Sequence, residues 1–324
     1  MERTTYAIDR GVTDVMKFLA ALTVVLHHYS QYVYQNNLPG NAVYGAFDSY
    51  GGFIAVGVFF FLSGFGLMES EKRHHLAFVP FMKRRCLRVY LPVLLATVIW
   101  MAVNRVMPCG DYFHEISVRG LLIDLLWGLG DSYLWFVKVI ILLYGAFAVF
   151  AQVRERYGMK RAMLALDVMT VAVSVVTALM IADFAVVSVP MFTLGVWAAG
   201  CAEGKRGLEL LALHFALWCI VTCGLLAVYN VCVVHAKSLS ILLDVMRTYP
   251  VVLLLALLLP VVPAGWCSSV PRLVSGTSYD IYLVHGKVFA VLKVLMPVVP
   301  LYVFAVVTLV CVLLFYGLRT RLKI

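Results

Sequence analysis

The chain has 324 residues, of which 63% are hydrophobic and only 13% charged, with a mean hydropathy of +0.94. Soluble domains run at about 45–50% apolar and about 25% charged residues, so this composition excludes an ordinary soluble domain. The net charge of +9 does not point to nucleic acid, because Lys and Arg sit in short clusters between apolar runs, where they orient helices and meet anionic headgroups.

Ten apolar stretches predict spans at approximately 12–34, 49–69, 88–107, 132–152, 162–182, 184–202, 208–229, 248–266, 277–296 and 298–318. Several approach the roughly 20 residues that cross a bilayer as a helix. The alternating segments of about ten residues that a membrane β-barrel requires are not seen. The expected fold is therefore all-α, a polytopic transmembrane bundle of about ten spans. The segment "RGLLIDLLWGLG" at 119–130 is too short to span and is expected at the interface or as a re-entrant piece. With the N-terminus cytoplasmic, 18 of the 26 basic residues fall in inner segments and four (Arg105, Arg119, Lys237, Arg247) in outer loops. That asymmetry predicts both termini inside and a multi-pass protein of the cell inner (plasma) membrane.

No internal repeat, low-complexity tail or second domain is legible, so residues 1–324 read as one transmembrane domain. Asp14 and Lys17 interrupt the first apolar run, which argues against a cleavable signal peptide. The eight cysteines show no CxxC or metal-ligand spacing. Cys219 and Cys223, one turn apart, read as packing residues. Neither a structural disulfide nor a metal is expected.

The first span, "DVMKFLAALTVVLHHYS", carries Asp14, Lys17, His27 and His28. An ionisable group at the centre of a lipid-facing helix costs about 2.5–3.5 kcal/mol on insertion scales. At 100° per residue, Lys17 and His28 lie about 20° apart on one face and roughly 16 Å apart along the axis. Asp14 lies about 60° from Lys17 on the same side. The stripe is expected to face protein or a wet cavity, and His27, about 80° away, a neighbouring helix or lipid. Asp14 with Lys17 also reads as an ion pair that only fixes packing.

Four further segments accompany this helix in order: "VFFFLSGFGL", "FMKRRCLRVYLP", "LWFVKVIILLY" and "SYDIYLVH". Together they resemble the acyltransferase 3 family, membrane O-acyltransferases that modify cell-surface glycans. Lys17 and His28 match that family's basic residue, ten intervening residues and histidine, with lysine where many members have arginine. Ser63 and Gly64 match its second helix, Arg85, Arg88 and Pro92 the basic entry to its third, and His285 the end of its Ser-Tyr-x-x-Tyr-Leu-x-His element. The motifs cover residues 14–285.

The resemblance implies an acyl-coenzyme A donor, most often acetyl-CoA, and a glycan or lipid-linked saccharide acceptor beside membrane lipid, with no nucleic acid. Acyl transfer to a hydroxyl needs a base, and imidazole, with an ordinary pKa near 6.5, suits the task. His28 is the expected base or a transient acyl carrier. His285, roughly 12 Å along the ninth span, is expected to reach the same cavity as a second catalytic group, a donor-positioning group or a core histidine. Arg85 and Arg88, three apart on one helix face, suit the donor phosphates; a stop-transfer cluster is the plainer reading of Lys83 and Arg84. Lys17 is placed between donor and base, to hold the thioester end or an oxyanion. Ser63 with its flanking glycines reads as packing, Trp135 and Phe136 as a membrane belt or a sugar-stacking pair, and His214 as structural. The rival reading is a glycan or small-molecule transporter with Asp14, Lys17 and His28 as a proton relay.

Overall fold

The computed structural model describes residues 8–74, 77–107, 109, 134–180, 186–201, 209, 212–224, 238–263, 265–267 and 272–324. Among these the chain is helical, with no strand. A helix occupies each of the ten predicted positions, but hydropathy located the apolar part of each helix rather than its ends. We number them α1 (Arg10–Gln35), α2 (Ala42–Ala46), α3 (Gly52–Arg73), α4 (Phe78–Val106), α5 (Trp135–Tyr157), α6 (Met159–Met180), α7 (Pro190–Cys201), α8 (Ala212–Gly224), α9 (Ser238–Leu258), α10 (Arg272–Leu295) and α11 (Leu301–Arg321). The segment 119–130 lies outside the described residues.

Six helices among the described residues are long and apolar enough to cross a membrane. They are Ala42–Arg73, α4, α5, Met159–Ala178 within α6, Leu243–Val261 and α11. α7 has only 12 residues, about 18 Å, against a hydrocarbon core of roughly 30 Å. It starts at Pro190 because proline fits the first helical position, where no N–H is needed. α1 and α10 have 26 and 24 residues, but Asp14 and Lys17 on one and Asp280, Lys287 and Lys293 on the other lower their apolar content. The two long helices least suited to lipid are the two that meet at the site described below.

α1 begins where the Asp9 carboxylate accepts the Gly11 N–H at 2.7 Å, an N-cap that satisfies one of the first turn's unpaired donors. α2 runs through a π-helical turn, Phe47–Gly51, into α3. α9 ends in a 3-10 turn at Leu259–Val261, since Pro260 cannot continue the hydrogen-bond ladder.

α1 packs against α10 and α3, α10 against α11, and α5 against α4 and α6. The closest pairing is α3 with α7, and two glycines allow it. A Cβ on Gly64 would stand 2.0 Å from the Phe192 carbonyl oxygen, and one on Gly195 2.1 Å from the Phe61 carbonyl oxygen. The backbones touch, as small residues permit in membranes, where van der Waals packing rather than water exclusion joins helices. Gly64 is thus a packing residue, as its motif suggested.

α11 is apolar all round yet exposes Val306, Leu309, Val310 and Leu314, an outward face suited to hydrocarbon. His214 of α8 is buried in a polar knot. Its Nδ1 meets the Tyr249 hydroxyl, and its Nε2 lies 3.1 Å from both Thr193 Oγ1 and the indole N–H of Trp218. Three side chains from α7, α8 and α9 satisfy it, so His214 holds helices together, as the sequence reading left it. Cys219 and Cys223 are free.

Candidate active site

The polar stripe of α1 opens into two cavities. Asp14 and Lys17 line a basic cavity of about 690 Å³, and Val24 and His28 line a second of about 760 Å³. Ala21, between them on the same face, is fully buried.

The basic cavity collects cations from three helices: Arg10 and Lys17 of α1, Arg85 and Arg88 of α4, and Arg319 of α11. α10 closes it with Gly276, Ser278 and Tyr279. The Arg85 guanidinium sits 5.8 Å from the ring centres of both Phe81 and Tyr144, so two aromatic faces hold its position. Tyr144 shares a hydrogen bond with Ser63, which gives that serine a supporting role in the cavity wall. Arg319 is anchored to fully buried Asp280, with Nε 2.9 Å from Oδ1 and a terminal nitrogen donating to Oδ2 at 3.0 Å. A second hydrogen bond from the same nitrogen reaches the Gly276 carbonyl at 3.0 Å. A close ion pair with one charge-assisted hydrogen bond to the carboxylate and one to a backbone carbonyl holds the guanidinium in place. Arg10, Tyr144, Tyr279 and Arg319 were not singled out from the sequence; Arg319 and Asp280 are 39 positions apart, and nothing local announces the pair.

The second cavity is polar and aromatic. Besides His28 it is lined by Gln31, Gln35, Asn36, Asp48, Trp135 and Lys293. Gln31 and Gln35 continue the stripe of His28, three and seven residues on, a signal the sequence carried. The His28 Nδ1–H donates to Gln31 Oε1 at 2.9 Å, which leaves the lone pair on Nε2. The ring of His285 stacks on that of His28, with centres 5.3 Å apart and 20° between planes. His285 itself is fully buried, and its Nδ1–H donates to the Ile281 carbonyl at 3.0 Å. Thus His285 backs the ring of His28 and lines neither cavity. His27 faces the α2–α3 turn and the second cavity, not lipid: its Nδ1–H donates to the Phe47 carbonyl at 2.8 Å. Gly52 makes room for it, since a Cβ there would stand 2.6 Å from His27 Nε2.

Phe136 does not belong to a membrane belt. It is buried against Phe60, ring centres 4.9 Å apart, and lines the basic cavity. Among the described residues no group of three His, Cys, Asp or Glu is placed to hold a metal. Lys17 and His28, the two motif residues of α1, therefore serve different chambers of one site, and the arrangement suits chemistry on two partners bound apart.

Comparison with curated proteins and with solved structures gave no match. The family model of acyltransferase 3, described as an acyltransferase domain, matches residues 12–319, a stretch that takes in the lining of both chambers apart from Arg10. Spanned almost end to end by that match and built as a bundle of apolar helices, the chain belongs to the acyltransferase 3 family and is a membrane acyltransferase.

Proposed function

We propose that this protein transfers an acyl group, acetyl in the simplest case, from acyl-CoA in the basic cavity to a hydroxyl of a cell-surface or exported glycan, free or lipid-linked, in the second cavity. The observation that carries the proposal is the division of labour along α1: Lys17 among cations on one side, and the Nε2 lone pair of His28 in a polar, aromatic chamber on the other. Coenzyme A brings several phosphate charges, and five basic side chains converge to meet them. Hydroxyl-rich ligands are held by amides, carboxylates and aromatic faces, which Gln31, Gln35, Asn36, Asp48 and Trp135 provide.

In the reaction, His28 Nε2 takes the proton of the acceptor hydroxyl as its oxygen attacks the thioester carbonyl. A C–O bond forms, the C–S bond breaks, and the imidazolium returns the proton to the leaving thiolate. Lys17 belongs with the donor, because it lines the basic cavity and not the chamber of His28. His285 is a positioning residue that fixes the His28 ring from behind. We read residues 1–324 as one polytopic domain in the inner membrane, with both termini and the basic cavity on the cytoplasmic side, where acyl-CoA resides; the basic-residue asymmetry supports that orientation.

The purified protein tests this directly. Coenzyme A is expected to raise its Tm, since a ligand bound only by the folded state stabilises it by RT ln(1 + [L]/Kd). No shift at millimolar coenzyme A would favour the transporter reading instead. Arg85→Gln and Arg88→Gln are each expected to raise KM for acyl-CoA about tenfold or more, the loss of a charged hydrogen bond worth about 1.5–3 kcal/mol, with a smaller change in kcat. His285→Ala is expected to lower kcat roughly 10–100-fold with the donor KM kept, because a base displaced by about 1 Å can cost about 10²-fold. Parallel loss of donor binding in His285→Ala would place that residue with the donor instead.

A further inference from the structure

The two cavities meet at a shared partition. Val56 of α3 and Tyr282 of α10 line both. Phe136 lines the basic side and rests edge-on against Tyr282, ring centres 5.4 Å apart and 65° between planes. On the face of α1 between Lys17 and His28 the buried residues Ala21 and Val24, exposed by only 0% and 3%, are apolar too. A donor held by its phosphates at Arg85 and Arg88 has to carry its thioester past these side chains to reach His28. From Lys17 to Val24 alone the path is about 10 Å at 1.5 Å per residue.

We propose that Val56, Phe136 and Tyr282 select the acyl group, passing short, unbranched, uncharged ones and rejecting branched or carboxylated ones. The inference rests on the acyl-CoA reading above. Two physical effects act at the partition. A carboxylate entering the apolar interval loses its hydration with no cation lining the partition to replace it, since the basic cluster lies behind it and Lys293 in the chamber beyond. A branched group is wider than the unbranched cysteamine and β-alanine end of coenzyme A that directly follows it, and interiors packed at crystal-like density do not yield to an extra methyl without displacement. Against a fitted apolar wall one methylene changes selectivity by about 10–200-fold.

Butyryl-, isobutyryl- and succinyl-CoA separate the two effects, since all three carry four-carbon acyl groups that differ in branching or in charge. Full-length protein in nanodiscs is given each thioester with water as acceptor. The C–S bond breaks, a C–O bond forms to water, and the freed thiol is titrated while the acid is released. We expect kcat/KM to fall at least tenfold from butyryl to isobutyryl and from butyryl to succinyl. Val56→Ala, which widens the partition from the side of α3, is expected to raise the isobutyryl-to-butyryl ratio at least tenfold. Val56→Phe is expected to lower the butyryl-to-acetyl ratio by a similar factor. Equal handling of the three thioesters, or ratios within twofold of wild type in both variants, overturns the selector. Stabilisation by coenzyme A, measured on the same samples, distinguishes the failures: retained stabilisation with flat selectivity removes the selector alone, whereas none in the wild type removes the donor reading beneath it.

Discussion

Replacing His28 with alanine is expected to lower acyl transfer by about 10²–10⁴-fold, the range that a positioned general base contributes. The protein is expected to stay folded, because His28 is only half-buried and the wall behind it, His285, is held independently through the Ile281 carbonyl. His28→Gln retains a hydrogen-bonding side chain of similar reach but no basic nitrogen, so its activity is expected to match that of alanine. Coenzyme A is expected to stabilise both variants to the same extent as the wild type, since the imidazole and the cationic cluster line different cavities. A thiol-release assay alongside a thermal melt reads both quantities. Activity within threefold of wild type in His28→Ala would remove His28 from the chemistry and leave a membrane acyltransferase whose base is elsewhere.

The second large effect concerns assembly. Gly64→Ala and Gly195→Ala are each expected to destabilise the bundle severely, by more than the roughly 1–3 kcal/mol typical of an overpacked core. The atoms in the way are main-chain carbonyl oxygens at 2.0 and 2.1 Å, which cannot rotate aside as a side chain does, so α3 and α7 must separate. Helix propensity pulls in the opposite direction, because alanine is favoured over glycine mid-helix by about 0.5–1 kcal/mol. That smaller term is isolated at Gly145 of α5, where an added Cβ meets nothing within 4 Å; Gly145→Ala is expected to be neutral or slightly stabilising. Melting temperatures of the three variants, followed by size-exclusion chromatography, test the contrast. A mild effect at Gly64 and Gly195 together would mean that α3 and α7 slide apart at little cost.

The face of α1 was legible because helical geometry alone aligns Asp14, Lys17 and His28. The structure added that the stripe is divided, which depends on Val56, Phe136 and Tyr282 arriving from three other helices. Helix existence followed from hydropathy, and helix ends did not. α4 begins at Phe78, ten residues before the predicted span, since "KRR" continues a helix as readily as leucine does but lies outside the apolar window. α7 came out shorter than predicted although Pro190 marked its start. The pairing of Arg319 with Asp280, and the rings of Phe81 and Tyr144 around Arg85, join distant parts of the chain, and single-sequence periodicity carries no information about such encounters.

The partition proposed between the chambers has an electrical consequence. An elementary charge moving through 100 mV of membrane potential releases about 2.3 kcal/mol, so an open aqueous duct between the two compartments would short-circuit the cell. On the proposed reading, a catalyst that passes the acyl group between edge-packed rings and aliphatic side chains keeps the insulation intact while a neutral fragment slips by. Because that fragment carries no net charge, turnover on this reading is indifferent to voltage, and the cell can decorate its exterior without draining its energised membrane.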